Sequence, residues 1–132
     1  MSMWSMYTLK CPQCAKVFKA ELWDGINVTL DPRLERLLFE GRLNVIRCPY
    51  CDLEIQVEKH FYYHDMVKRL FIYVYPASER HREEEIREGI ERELELFRRS
   101  GNDLPMHMQH YMIAFGFDEV YKILGSRRLN LL

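Results

Sequence analysis

Leu9-Lys10-Cys11-Pro12-Gln13-Cys14 and Ile46-Arg47-Cys48-Pro49-Tyr50-Cys51 are one pattern written twice. Two residues between the cysteines of a pair let both sulfurs turn to one point, as a two-sulfur metal claw requires. Two claws supply the four thiolates of a tetrahedral zinc site. The chain has 4 cysteines, and all of them belong to these pairs. After each pair, Phe18 and Ala20 fall in phase with Ile55 and Val57. Each copy therefore reads as strand, tight knuckle, strand, and two knuckles facing across a metal make a zinc ribbon. Cys11, Cys14, Cys48 and Cys51 are the expected ligands of one structural zinc. Four protein ligands close the coordination shell and leave no position for a reactive water, which disfavours zinc hydrolysis.

Three rival readings fit four cysteines in such pairs. Disulfides between such close neighbours staple little chain, and nothing in the sequence suggests secretion. Thiol redox chemistry has one point in its favour, since Cys48-Pro49-Tyr50-Cys51 matches the glutaredoxin tetrapeptide. A redox pair, however, opens a helix whose N-terminus lowers the thiol pKa. Here Leu53-Glu54-Ile55-Gln56-Val57-Glu58 alternates with the period of a strand. An iron–sulfur cluster also takes four thiolates, but the symmetric short pairs favour zinc.

Outward from the knuckles, 33 residues separate Cys14 from Cys48, more than a compact ribbon needs. That insert must carry structure of its own. Lys16 to Trp23 continues the first knuckle as a strand, and Asp24-Gly25 predicts a hairpin turn into a second strand, Ile26 to Leu30. Asp31-Pro32 marks a helix start, with Leu34, Leu37 and Leu38 on one face and Gly41 as its stop. Leu43 to Arg47 runs back as a strand into the second knuckle, so one sheet is expected through both. Leu70 to Tyr75 is a further strand ended by Pro76.

Ser78 to Arg99 reads as one long helix with Ser78 as N-cap, carrying 8 Glu and 6 Arg. Its narrow apolar stripe is Ile86, Ile90, Leu94 and Phe97, interrupted by Gly89. Met112 to Phe115 reads as a short strand. Asp118 opens a last helix ended by Gly125, and Arg127 to Leu132 is expected to be a frayed tail.

The length of 132 residues suits one domain. The expected class is α+β: a split zinc-ribbon-like antiparallel sheet with an inserted helix, a long charged helix and a short C-terminal helix. Residues 1–77 form the ribbon domain, and residues 78–132 a helical appendage packed on it. No apolar run reaches membrane-span length. The start of the chain lacks the pattern of a signal peptide, so a cytoplasmic place without membrane contact is expected.

These residues resemble the CpXC-domain family of bacteria and archaea. The resemblance rests on Tyr7 to Cys14, Trp23-Asp24-Gly25-Ile26-Asn27-Val28, Asp31-Pro32 with the leucine helix, Ile46 to Cys51, Tyr63-His64-Asp65, and the aromatic strand ending at Pro76. It implies zinc binding by the four cysteines and no defined biochemical role. One local departure stands out. Zinc knuckles commonly place glycine directly after the second cysteine, where φ is positive. This chain has Ala15 and Asp52.

Other candidate sites carry less. His64-Asp65 resembles a catalytic pair without a nucleophile, and a turn with a capping Asp explains it as well. His107 and His110 stand three apart but lack a third ligand. Phe71, Tyr73 and Tyr75 share one strand face, which either stacks nucleic-acid bases or packs beneath the charged helix. Residues 1–77 carry 10 basic and 9 acidic side chains, too even a balance for a phosphate-neutralising surface. The leading expectation is a non-enzymatic interaction module whose partner is a protein or a second copy of the chain. A nucleic-acid-binding regulator is the alternative, and a thiol oxidoreductase a weaker third.

Overall fold

The computed structural model describes residues 2–129, with side chains through residue 125. Seven strands and four α-helices follow in the order β1 (Met3–Lys10), β2 (Val17–Asn27), α1 (Pro32–Phe39), β3 (Val45–Arg47), β4 (Glu54–Gln56), β5 (Phe61–Asp65), β6 (Leu70–Tyr75), α2 (Glu83–Arg99), α3 (Met106–Gln109), β7 (Met112–Phe115) and α4 (Phe117–Leu129). The α+β class is as expected, but the sheet differs. Five strands lie in the order β1-β2-β5-β6-β7, and β3-β4 stand apart as a two-stranded ribbon. β2 runs parallel to β5, and β6 parallel to β7. The main sheet is therefore mixed rather than antiparallel, and the second knuckle lies outside it.

Helices cover both faces of this sheet, and side-chain alternation decides what each face buries. On one face Ile26, Phe61, Tyr63, Ile72, Val74 and Ala114 meet Leu34 and Leu38 of α1 and Val120 and Leu124 of α4. On the other, Tyr73, Tyr75 and Phe115 lie under Ile86, Ile90 and Leu94 of α2. A third, small cluster joins Cys11, Phe18 and Cys48 at the knuckles. Phe97, expected in the α2 stripe, is 40% exposed.

Asp24-Gly25 does not turn the chain; β2 runs through it as an 11-residue strand. The Asp24 carboxylate is already satisfied in the extended form. It accepts hydrogen bonds from Ser5, Tyr7 and Lys59. Burial alone would push this carboxyl up, but those three donors hold it at about 2. Gly25 leaves room for the Tyr62 ring, which a Cβ would meet at 3.4 Å. The turn forms later, where Asn27 Oδ1 accepts the Thr29 and Leu30 N–H groups at 3.1 Å each.

The helix boundaries follow local chemistry. Pro32 opens α1, although the Asp31 side chain makes no capping bond. Gly41, at φ +71°, closes it as expected. The charged segment begins with a 3-10 stretch, Ala77–Arg82, so Ser78 is not an N-cap. The chain is tight there, since a Cβ on Gly116 would lie 3.2 Å from that of Ala77. Tighter winding is common in a helix's first turn. Gly125 does not end α4, which continues to Leu129. A single glycine inside a helix costs only about 1 kcal/mol. Of the expected frayed tail, Arg127 to Leu129 are helical, and residues 130–132 lie outside the described residues. Among the described residues no helix is long and apolar enough to cross a membrane.

Candidate metal centre

Each knuckle is built by the same backbone bonds. Ala15 N–H donates to Cys11 O and Asp52 N–H to Cys48 O, both at 2.9 Å. Cys11 N–H reaches Lys16 O at 3.0 Å and Cys48 N–H reaches Leu53 O at 2.9 Å. The flanking strands repeat the register, with Leu9 opposite Phe18 and Ile46 opposite Ile55. The duplication read from sequence is thus a duplication of geometry. It brings the two hairpins, from different sheets, face to face.

The four sulfurs lie within 4.8 Å of one another. Cys11 Sγ is 3.6 Å from Cys51 Sγ, and Cys14 Sγ is 3.7 Å from Cys48 Sγ. A tetrahedron with metal–sulfur bonds of about 2.3 Å has edges of about 3.8 Å, so the donor set fits one tetrahedral ion. The same separations are far beyond a disulfide bond of about 2.05 Å, and all four cysteines are free. Cys11 and Cys48 are buried and Cys14 and Cys51 half-buried.

The thiols are electrostatically unequal. The Cys14 and Gln13 N–H groups point at Cys11 Sγ, at 3.5 and 3.4 Å. Led by the Cys14 N–H, they bring the Cys11 pKa down to about 6. The Leu53 N–H favours the Cys51 thiolate, but burial and the three neighbouring sulfurs outweigh it and push Cys51 up to about 12. Without a cation the cluster resists a second negative charge. A divalent ion removes that resistance by displacing protons.

Ala15 and Asp52 both sit at φ +63°, the left-handed conformation expected of the residue after each claw. Asp tolerates this conformation, whereas Ala is strained there by about 1 kcal/mol. Ala15→Gly is expected to raise the melting temperature of the metal-loaded protein by a few degrees. An unchanged or lower value in differential scanning calorimetry would count against a strained first knuckle.

The other sequence candidates resolve differently. Asp65 caps a turn, its Oδ1 accepting Val67 and Lys68 N–H at 3.0 and 2.9 Å. His64 faces away from it and meets His107, Nε2 to Nε2, at 2.8 Å. Burial, and then His107, lower the His64 pKa. His107 and His110 do not share a helix face, because α3 ends at Gln109. Among the described residues no third metal-binding group joins these histidines. Phe71 is buried, and Tyr73 and Tyr75 are half-buried under α2. Part of the aromatic face packs against α2, and a cleft remains beside His60, Tyr62, Tyr73 and Tyr75.

Sequence reasoning missed the Asp24–Tyr7–Lys59 cluster, in which Lys59 Nζ also lies 5.1 Å over the Tyr7 ring. It also missed the space left between α2 and the sheet at Gly89. The one signal for that space was the glycine in mid-helix.

Fold and site together define an α+β protein whose paired cysteine knuckles are able to hold one metal ion. The chain belongs to the CpXC protein family, whose family model matches residues 9–122. The match runs well past the aromatic strand at which the resemblance stopped, taking in α2, β7 and part of α4. No curated protein and no solved structure matches the chain.

Proposed function

We propose that this protein is a zinc-stapled interaction module without enzymatic activity. The observation that carries the reading is the closed set of four sulfurs at tetrahedral spacing. An all-sulfur tetrahedral shell suits zinc and leaves no position for a substrate or a water. The metal's work is then structural. It joins the β3–β4 ribbon, with three residues per strand, to the β1–β2 hairpin.

The edge strand β1 supports the interaction reading. Six of its eight residues are exposed, and Met3, Trp4 and Met6 are each more than half exposed. An edge with open backbone groups and exposed apolar side chains favours pairing with another polypeptide. Metal analysis of purified protein is expected to return about one zinc per chain. Light scattering is expected to show self-association or a co-purified protein, reversed by Trp4→Lys. Metal-free folded protein with freely titratable dithiols would overturn the zinc assignment. A strict monomer at high concentration, without a bound protein, would count against β1 as an interface.

A further inference from the structure

β5 and β6 place two aromatic columns side by side on the face beneath α2. The antiparallel register sets Tyr62 opposite Tyr73 and His64 opposite Phe71, and His60 stacks on Tyr75 at a centroid distance of 4.1 Å. α2 does not seal this face. Between helix and sheet remains a cleft of about 330 Å3, whose lining includes His60, Tyr62, Tyr73, Tyr75, Gly89 and Glu93.

The walls have defined orientations. The His60 ring is nearly parallel to Tyr73 and Tyr75, at 3° and 13°. Tyr62 stands across them, at 80° to Tyr73 and 79° to His60. The four rings touch one another and together make an aromatic wall of the cleft.

Several polar groups of the cleft are unspent. The hydroxyls of Tyr62, Tyr73 and Tyr75 make no hydrogen bond among the described residues. His60 Nδ1 is 2.8 Å from Val74 O, so that nitrogen carries the proton and Nε2 keeps its lone pair. Burial lowers the His60 pKa, which keeps the ring neutral. Arg82 also lines the cleft, but Glu79 and Glu85 hold its guanidinium at 3.2 and 3.1 Å. Glu93 makes no ion pair among the described residues, and its charge acts on all three tyrosines. Aromatic faces, hydrogen-bond acceptors and one uncompensated carboxylate converge on one space of ligand size.

We propose that this cleft binds an organic ammonium group, held by cation–π contact with Tyr62, Tyr73 and Tyr75 and by the charge of Glu93. A cation over several aromatic faces is attracted by their quadrupoles, most strongly where water is excluded. Gly89 is what leaves the space open. A Cβ there would meet nothing nearer than Arg92 Nη2, at 3.9 Å, so the helix accepts a side chain at this position without a clash.

The test is a titration of the full chain with choline, followed by NMR shifts of the Tyr ring and Gly89 signals. The control is 3,3-dimethylbutanol, a neutral molecule of the same shape. Choline is expected to bind saturably, about tenfold tighter than the neutral control. Gly89→Leu should keep the fold and abolish binding by filling the cleft. Glu93→Gln, an exposed position that the fold does not need, should weaken binding about threefold to tenfold. A capped trimethyllysine peptide separates the sources. Tighter binding of the peptide assigns the group to a protein side chain, and weaker binding to a free ligand. Equal binding of choline and its neutral twin, or no shift at the tyrosines with either cation, would overturn the proposal.

Discussion

Cys48→Ser is expected to abolish metal binding and to unfold the knuckle half of the molecule. The serine hydroxyl is a poor zinc ligand, and Cys48 is fully buried, so no water takes its place without disturbing the packing. Structural zinc contributes roughly 10–16 kcal/mol of apparent binding energy in small domains, more than the whole stability of most folds. The knuckle cluster has little else to hold it. Of its three buried residues, Cys11, Phe18 and Cys48, two are the ligands themselves. Two strands of three residues each are not independently stable in water. Hydrogen exchange should therefore show residues 9–20 and 45–56 losing protection first. The β5–β6 pair, buried in the main core around Phe61, Tyr63, Ile72 and Val74, should hold out longest. Chelation of the wild-type protein should reproduce the pattern. A folded Cys48→Ser protein with unchanged exchange rates and titratable thiols would restore the redox reading.

The knuckles were legible because their information is local. Two residues between cysteines, a positive-φ residue after each pair and a period of two on either side need no knowledge of the rest of the chain. β6, α1 and β7 were legible for the same reason. What was not legible is set by partners distant in sequence. Asp24-Gly25 has the chemistry of a turn, and only Ser5, Tyr7, Lys59 and the Tyr62 ring make the extended form better. The parallel register of β2 on β5 is a long-range choice between surfaces that all alternate. His64 and His107 meet across 43 residues, so neither predicts the other. The cleft beneath α2 depends on a glycine whose absent side chain acquires meaning only once the helix has docked.

Asn44 is a sharper case, and its replacement by alanine is expected to cost about 3 kcal/mol. The sequence places it within a strand reading, Leu43 to Arg47. In the structure it precedes β3 at φ +57° and is only 5% exposed. Its side-chain amide does the work of a missing strand. β2 pairs with β1 at Trp23, but β5 joins β2 only from Gly25 to Asn27. On that open side Asn44 Oδ1 accepts the Trp23 N–H at 2.7 Å, and Nδ2 donates to Trp23 O at 3.2 Å. The Asn44 carbonyl meanwhile accepts Val57 N–H at 2.9 Å, beyond the end of β4. One residue thus ties the β3–β4 ribbon to the main sheet. Alanine would strand the Trp23 N–H, at about 1–3 kcal/mol for a buried unsatisfied donor. It would also occupy a left-handed conformation, at about 1 kcal/mol more. The Trp23 carbonyl keeps a second donor, Lys59 Nζ at 3.3 Å, which limits the loss. Asn44→Gly relieves the backbone strain but not the lost bonds. It should therefore be about 1 kcal/mol more stable than Asn44→Ala and still well below wild type. Urea denaturation of the three proteins with metal bound measures both differences. An alanine variant as stable as wild type would mean that water satisfies Trp23, and that the ribbon is held to the sheet by the metal alone.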